Sequence, residues 1–214
     1  MTAGRPAIAI ADYGLGNRRS VEKAVERAGA AALLTGDHDA IRESDGLIVP
    51  GVGAFPAAMQ QLRASGLDDV IREVARAGKP VLGSCLGMQL LFEHSAEHGG
   101  GEGLGLLAGE VVPLDAGDLN VPHIGWNDVR FAREDPLIAG LPDGAAFYHV
   151  HSYVPQPADR ATTIATGDYG GPFASIVGDG QIVGCQFHPE KSSTHGLALL
   201  RNFAAMCTEA GAPA

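Results

Sequence analysis

The first 92 residues alternate short apolar runs with amphipathic segments, and this alternation constrains the fold more than any other feature. The apolar runs predict strands over 7–11, 31–35, 46–50 and 80–84. The amphipathic segments predict helices over 17–29, 67–77 and 86–94. An order of strand, helix, strand and helix is typical of a mainly parallel sheet that is covered by helices on both faces.

The pattern changes after residue 105, where apolar runs are separated by Pro, Gly and Asp. These runs predict antiparallel strands over 111–114, 129–131, 146–152, 162–166, 174–177 and 182–187, before a last helix over 197–207. We see no internal repeat and no linker. The prediction is therefore one α/β domain over residues 1–214, with a mixed, largely parallel central sheet, helices on both faces and additional antiparallel strands in the second half.

Composition excludes several classes of function. The net charge of −10, from 15 basic and 25 acidic residues, argues against nucleic-acid binding, which depends on Lys and Arg at the phosphates. The longest apolar stretch, 80–92, is shorter than the ~20 residues of a membrane span, and the first apolar run is too short for a signal peptide. Three widely spaced cysteines are typical of a reducing compartment. We expect a cytoplasmic chain with no nucleic-acid or membrane partner.

Cys85 lies between two glycines in the segment Gly83-Ser84-Cys85-Leu86-Gly87, where a predicted strand meets a predicted helix. A sharp turn of this kind strains its central residue, and the flanking glycines remove Cβ atoms that would clash. The turn also places the sulfur at the positive end of a helix, which favours the thiolate. The pattern predicts a nucleophile, and a buried structural cysteine is the alternative.

Two further segments supply what a thiolate needs to cleave an amide. His188 and Glu190 flank a proline after an apolar strand, and residues two apart in an extended segment point the same way, so Glu190 can orient the His188 ring. The glycine-rich loop Gly51-Val52-Gly53 follows another strand, and its N–H groups and that of Leu86 can face an oxyanion. Taken separately, the two segments are also compatible with ordinary turns. The order Cys, His, acid disfavours an α/β-hydrolase.

The segment from Gly83 to Gln89, together with His188-Pro189-Glu190, resembles the class I, triad-type glutamine amidotransferases. Further segments are similar to one group in that family, the glutaminase subunits of imidazole glycerol phosphate synthase. They are Asp12-Tyr13-Gly14-Leu15-Gly16-Asn17, Pro50-Gly51-Val52-Gly53-Ala54-Phe55, Pro122-His123-Ile124-Gly125-Trp126-Asn127 and His151-Ser152-Tyr153. The matches extend from residue 12 to Lys191. Ser84 and His149 depart from the family pattern, which has more apolar residues there.

The resemblance implies a glutaminase that makes ammonia from L-glutamine for a separate (β/α)8-barrel cyclase subunit, with which it forms a heterodimer. It implies the catalytic residues Cys85, His188 and Glu190, with no cofactor and no metal. Gln89 and the backbone of His151, Ser152 and Tyr153 would hold glutamine, and Asn17, Trp126, Tyr148 and Lys191 would lie at or near the partner face.

Other patterns suggest other chemistry. His94, Glu97 and His98 match the zinc-protease pattern H-x-x-E-H, but three glycines follow directly and a third ligand is missing. Gly14 and Gly16 imitate a dinucleotide-binding turn, although Arg19 replaces its third glycine. Cys185 and Cys207 fit packing positions. The remaining alternatives are a stand-alone Cys-His-Glu hydrolase or peptidase of similar fold, and an interaction subunit without catalysis.

Overall fold

The computed structural model describes residues 5–210, which form an α/β fold with a nine-stranded central sheet and a four-stranded second sheet. The strands are β1 (Ala7–Ala11), β2 (Ala31–Thr35), β3 (Gly46–Gly51), β4 (Val81–Cys85), β5 (Phe92–Ser95), β6 (Gly101–Glu102), β7 (Leu107–Pro113), β8 (His123–Phe131), β9 (Ala145–His151), β10 (Tyr153–Pro157), β11 (Thr163–Asp168), β12 (Pro172–Asp179) and β13 (Ile182–Cys185). The helices are α1 (Arg18–Ala28), α2 (His38–Glu43), α3 (Phe55–Ser65), α4 (Leu67–Arg76), α5 (Leu86–Leu90) and α6 (Ser193–Ala210).

The central sheet is parallel in one half and antiparallel in the other. Its order is β2-β1-β3-β4-β13-β12-β11-β8-β9, with parallel pairing from β2 to β13 and antiparallel pairing from β13 to β9. Strands β10, β7, β5 and β6 form the second sheet. The predicted fold class is confirmed.

Helices cover both faces of the central sheet, as predicted. Helices α1 and α6 pack on one face, around Val21, Val25 and Phe203. Helices α3 and α4 pack on the other face, around Leu62 and Ile71. All six residues of β3 are buried, which explains its uninterrupted apolar sequence.

The parallel strands bring three distant segments to one edge of the sheet. Strands β3 and β4 end side by side, with Gly51 paired to Cys85, and β13 runs parallel to β4 with Cys185 paired to Ser84. Because parallel strands end at the same edge, the loops after β3, β4 and β13 meet there. The site therefore forms at the carboxyl ends of these strands.

The helix predicted over 86–94 is wrong in its second half, because α5 ends at Leu90 and β5 follows. The carbonyl of Leu90 accepts a hydrogen bond from Leu104 N–H, and that of Leu91 accepts from Leu106 and Leu107. These tertiary bonds end the helix, and Phe92 then pairs with Leu107 in the second sheet. The hydrophobic periodicity of residues 86–94 cannot predict these tertiary hydrogen bonds, so it predicted a longer helix.

Helices α2 and α3 and strands β5, β6 and β10 were not predicted. In α3 the signal was present, since Phe55, Ala58, Met59 and Leu62 are buried and follow helical spacing, with proline in the first turn. The last predicted strand, 182–187, ends two residues early, at Cys185. Phe187 instead forms an isolated bridge with His149.

Candidate active site

Cys85 sits at a strained turn between β4 and α5. Its backbone has φ 55° and ψ −115°, a positive φ that residues with a side chain rarely adopt. Both neighbouring glycines are required by close packing, since a Cβ at Gly87 would lie 1.8 Å from the Val49 carbonyl oxygen and one at Gly83 would lie 2.6 Å from the Gly87 carbonyl oxygen. The turn presents the Cys85 side chain to a cavity at the edge of the sheet.

His188 and Glu190 lie together next to Cys85. The Nδ1 atom of His188 is 3.1 Å from Oε1 of Glu190, and both side chains are buried. The His188 ring and Cys85 both line the same cavity, and the Cys85 thiol donates to the Val150 carbonyl at 3.7 Å. The backbone holds the ring in place, because His188 N–H donates to the Tyr148 carbonyl at 3.0 Å and the Ser192 hydroxyl donates to the His188 carbonyl at 2.7 Å. The structure thus brings the three predicted catalytic residues together at one place, with the His188 ring bonded to Glu190 and lining the same cavity as Cys85.

The environment of His188 favours its charged form. Burial alone would lower its pKa, but hydrogen bonds with Cys85 and Glu190, and the negative charge on both, raise the pKa from 6.5 to about 9. An imidazolium next to a cysteine stabilises the thiolate, which is the reactive form.

This raised pKa makes the stability of the fold depend on pH. The folded chain binds the His188 proton more tightly than the unfolded chain, so the stabilisation is full below pH 6.5 and is lost as the pH rises through about 9. We expect the free energy of unfolding of the wild type to exceed that of His188→Asn by an amount that shrinks across this range. Urea titrations at several pH values measure the difference, and a constant difference would contradict the assignment.

The loop predicted to form the oxyanion site lies beside Cys85. Gly51 packs directly against α5, since a Cβ there would lie 2.9 Å from Gly87 N. Val52, Gly53 and Leu86 line the cavity, and Gly53 has φ 98°, a conformation that favours glycine. The buried Tyr13 hydroxyl donates a hydrogen bond to the Pro50 carbonyl, which holds the start of the loop. Burial and the nearby Cys85 raise the pKa of Tyr13, so its hydroxyl stays protonated as a donor.

The cavity in front of Cys85 has a volume of about 360 Å³. Its lining includes Val52, Gly53, Cys85, Leu86, Gln89, Glu97, Pro122, Val150, His151, Ser152, Tyr153, His188 and Lys191. All four residues predicted to hold glutamine are in that set. The size is suited to a small amino acid.

Gln89 has a fixed orientation in this cavity. Its side-chain N–H groups donate to the Tyr153 carbonyl at 3.0 Å and to Oε1 of Gln186 at 3.1 Å. Since both bonds use the amide nitrogen, Oε1 of Gln89 is left to accept a hydrogen bond from a ligand.

The sequence did not identify Glu97 as a cavity residue. Its carboxylate lines the cavity, and Oε2 accepts a hydrogen bond from Phe55 N–H at 2.7 Å, at the start of α3. Glu97 was noticed only in the H-x-x-E-H pattern. That pattern has no helical geometry here, because His94 lies in β5 and His98 has φ 48°. Within residues 5–210 no group of three metal-ligating side chains comes together.

The four residues predicted at the partner face are only partly brought together. The Trp126 ring is 55% exposed and lies 6.1 Å from the Tyr148 ring, edge to face. Lys191 lies at the cavity. Asn17 is separate from the cavity lining, at the start of α1.

Both departures from the family pattern are buried polar residues. His149 is fully buried and satisfied, since its Nδ1 is 3.1 Å from the Phe147 carbonyl and its Nε2 is 3.0 Å from the Ser175 hydroxyl. Ser84 shares a small void with Glu190, whose Oε2 has no hydrogen-bond partner among the described residues.

The remaining candidate residues have structural explanations. Burial raises the pKa of the Cys185 thiol well above 9.0 and that of Cys207 to about 12, so neither is a ready nucleophile. Asp37 follows Gly14 at the spacing of the acidic residue in a dinucleotide-binding motif. In the structure it caps α2, because its carboxylate accepts a hydrogen bond from Ala40 N–H at 2.8 Å. Among the helices described, none combines the length and the apolar character needed to cross a membrane.

Comparison with known proteins agrees with the motifs. The sequence profile of the family described as glutamine amidotransferase class-I matches residues 9–207. The chain therefore belongs to the class I glutamine amidotransferase family, as its resemblance predicted.

Curated relatives indicate the branch of that family. The chain is 50% identical over 204 residues to the imidazole glycerol phosphate synthase subunit HisH of Moorella thermoacetica, which covers 95% of this chain and 97% of the relative. It is also 50% identical over 196 residues to the HisH subunit of Bacillus cereus strain G9842, covering 92% and 93%. The branch is that of the HisH subunits.

Solved structures show the same fold at lower identity. The structure of PurLQS from Thermotoga maritima matches with a TM-score of 0.74 at 19% identity, covering 95% of this chain and 99% of the other. The glutaminase domain of CTPS from Trypanosoma brucei, with bound acivicin, matches with a TM-score of 0.67 at 19% identity, covering 96% and 94%.

Proposed function

We propose that this chain is the glutaminase subunit of an imidazole glycerol phosphate synthase in histidine biosynthesis. It hydrolyses L-glutamine to glutamate and ammonia, and the ammonia passes to a cyclase subunit. The observation that carries the proposal is the hydrogen-bonded pair of His188 and Glu190 beside Cys85, at a cavity that also contains Gln89. The test is glutamine-dependent imidazole glycerol phosphate formation by the chain mixed with a purified cyclase subunit.

In the first half of the reaction, the Cys85 thiolate attacks the side-chain amide carbon of glutamine. A C–S bond forms, and the carbonyl oxygen becomes an oxyanion. The N–H groups of Leu86 and of the loop after β3 stabilise this charge, an effect typically worth ~3–4 kcal/mol for one donor. His188 then gives its proton to the leaving nitrogen, so ammonia departs and a thioester remains.

In the second half, water cleaves the thioester. Neutral His188 takes a proton from the water as its oxygen attacks the carbonyl carbon. The C–S bond breaks, glutamate leaves, and the proton on His188 restores the ion pair with the Cys85 thiolate. Glu190 accepts from Nδ1–H throughout, so Nε2 always faces the reacting atoms. His188, the Cys85 thiolate, the oxyanion donors and water account for the proton transfers and charges in these steps, so the proposal includes no cofactor and no metal.

Two acceptors of the cavity match the α-ammonium group of an amino acid. Oε1 of Gln89 and the carboxylate of Glu97 can accept hydrogen bonds from the α-ammonium group. The backbone of His151, Ser152 and Tyr153, which also lines the cavity, holds the rest of the substrate.

The proposed partner is a (β/α)8-barrel cyclase subunit that forms a heterodimer with this chain. Large apolar side chains are exposed along one short segment, at Leu119, Val121, Ile124 and Trp126. An apolar surface of this kind is typical of a protein interface. In this proposal, Tyr148 and Lys191 lie next to that segment. Asn17 lies at the edge of the interface. We propose that the activity is cytoplasmic. We also propose that residues 1–214 form a single domain.

Removing the Trp126 side chain should weaken the complex. Exposed tryptophans at interfaces are frequent hot spots, so we expect Trp126→Ala to raise the Kd by roughly 30-fold, or ~2 kcal/mol. Titration calorimetry with the cyclase measures the change. Leu33→Ala is the matched control, because Leu33 is exposed on the edge strand β2 and should leave the Kd unchanged. Equal affinities for the two variants would place the interface elsewhere.

A further inference from the structure

A chain of three polar side chains lies behind the cavity wall. Nδ2 of Asn127 is 3.3 Å from Nε2 of His123, and Nδ1 of His123 is 3.0 Å from Nε2 of His151. Nδ1 of His151 is 3.1 Å from the Tyr153 carbonyl oxygen. His123 and His151 are buried, so each imidazole nitrogen needs its partner within the protein.

The two ends of this chain determine where every proton lies. The Tyr153 carbonyl can only accept, so Nδ1 of His151 must donate and its Nε2 must accept. Nδ1 of His123 therefore donates to His151, and Nε2 of His123 accepts. Asn127 supplies that proton, because the same Nδ2 donates to the Asp168 carbonyl at 2.8 Å and a flipped amide would face that carbonyl with its oxygen.

The chain ends on the carbonyl that also fixes Gln89. The Tyr153 oxygen accepts from His151 at 3.1 Å and from Gln89 at 3.0 Å, which uses both of its lone pairs. The second N–H of Gln89 donates to Gln186. The position of Oε1 of Gln89 therefore depends on the Tyr153 carbonyl, and the Tyr153 carbonyl depends on His151 and His123.

We propose that His123 is a positioning residue for glutamine, which acts through His151 to hold the Tyr153 carbonyl and the Gln89 amide in the orientation that binds substrate. This inference deepens the proposed function and rests on glutamine being the substrate. The His123 ring stacks on two others, 4.1 Å from Tyr169 and 5.2 Å from His149, centroid to centroid, and these contacts restrict its rotation toward another partner. A buried network that loses one member leaves the others unpaired.

Neutral rings are required for this arrangement, since a second proton on His123 would point at the Asn127 amide. Burial lowers the pKa of His123, and burial with the nearby His123 and His188 charges lowers that of His151 to about 3. The chain of hydrogen bonds from Asn127 to Tyr153 therefore persists at neutral pH.

The first test measures the tautomers directly and needs no turnover. Nitrogen-15 NMR of the imidazole rings in the full chain should show His123 and His151 as Nδ1–H tautomers, the less common form in water. Assignment by the variants His123→Gln and His151→Gln identifies the signals. An Nε2–H tautomer at either ring would overturn the chain of hydrogen bonds.

The second test separates binding from catalysis in the complex with the cyclase. His123→Leu should raise the KM for glutamine by about tenfold with kcat changed less than about twofold, since only a positioning bond is lost. His123→Gln can both donate and accept, so its KM should stay within about threefold of the wild type. Ammonia-dependent cyclisation should be the same in both variants.

The matched control is His195→Leu. It makes the same substitution at a partly buried imidazole whose Nδ1 is 3.3 Å from the Ala146 carbonyl oxygen, and His195 belongs neither to the cavity lining nor to the hydrogen-bond chain. We expect an unchanged KM. An unchanged KM in His123→Leu, or equal increases in His123→Leu and the control, would overturn the inference. Absent glutaminase activity in the wild-type complex would instead overturn the proposed function, while the NMR result would still decide the hydrogen-bond chain.

Discussion

Replacing Cys85 with alanine should abolish glutamine-dependent activity in the complex and leave ammonia-dependent activity intact. The sulfur forms the proposed thioester, and alanine offers no substitute, so we expect a loss of roughly 10⁴-fold or more in kcat for glutamine. Added ammonium salts bypass this step, because the cyclase uses ammonia itself. Product formation with each nitrogen source measures both activities.

The control for this variant is Cys207→Ala. Cys207 is buried in α6 and has no contact with the cavity, so both activities should persist. Glutamine hydrolysis that survives Cys85→Ala would exclude the thioester route. Loss of ammonia-dependent activity as well would indicate that Cys85 also supports assembly of the complex.

The second large effect is expected from Gly87→Ala. The new Cβ would lie 1.8 Å from the Val49 carbonyl oxygen, and this neighbour is backbone that cannot rotate away. Overpacking usually costs ~1–3 kcal/mol, and a backbone clash at the junction of β3 and α5 should reach or exceed the upper end. Displacement of α5 should also move Leu86 N–H and Cys85, so activity should fall together with the free energy of unfolding.

Gly171→Ala provides the comparison, because a Cβ there has its nearest contact at 3.8 Å. Urea unfolding of the two variants and the wild type measures the difference. An unchanged unfolding midpoint for Gly87→Ala would mean that α5 moves freely against β3, which contradicts the rigid turn described above.

Much of the site could be predicted because its elements are local in sequence. The glycines around Cys85 and the spacing of His188 and Glu190 each imply a turn whose geometry follows from a few residues. The parallel order of strands then brings the two segments to one edge of the sheet. In the structure, Cys85 and His188 both line the cavity at that edge.

The parts that could not be predicted depend on contacts between distant segments. Glu97 reaches the cavity because the chain after α5 folds back as β5 and meets the start of α3 at Phe55. Helix α5 is short because Leu104 N–H donates to the carbonyl of its last residue, Leu90, and Leu106 N–H donates to that of Leu91, the residue directly after it. The proton positions in His123 and His151 follow from Asn127 and Tyr153, which no periodicity relates.

The sulfur of residue 85 is the centre of this account, and selective modification tests it most directly. The complex is treated with an electrophile that mimics glutamine, and peptide mass spectrometry measures the rate of modification at each cysteine. We predict rapid modification of Cys85, slowed by added glutamine and by His188→Asn, with Cys185 and Cys207 unmodified on the same time scale. Equal rates at the three cysteines, or rapid modification that glutamine does not slow, would contradict the account.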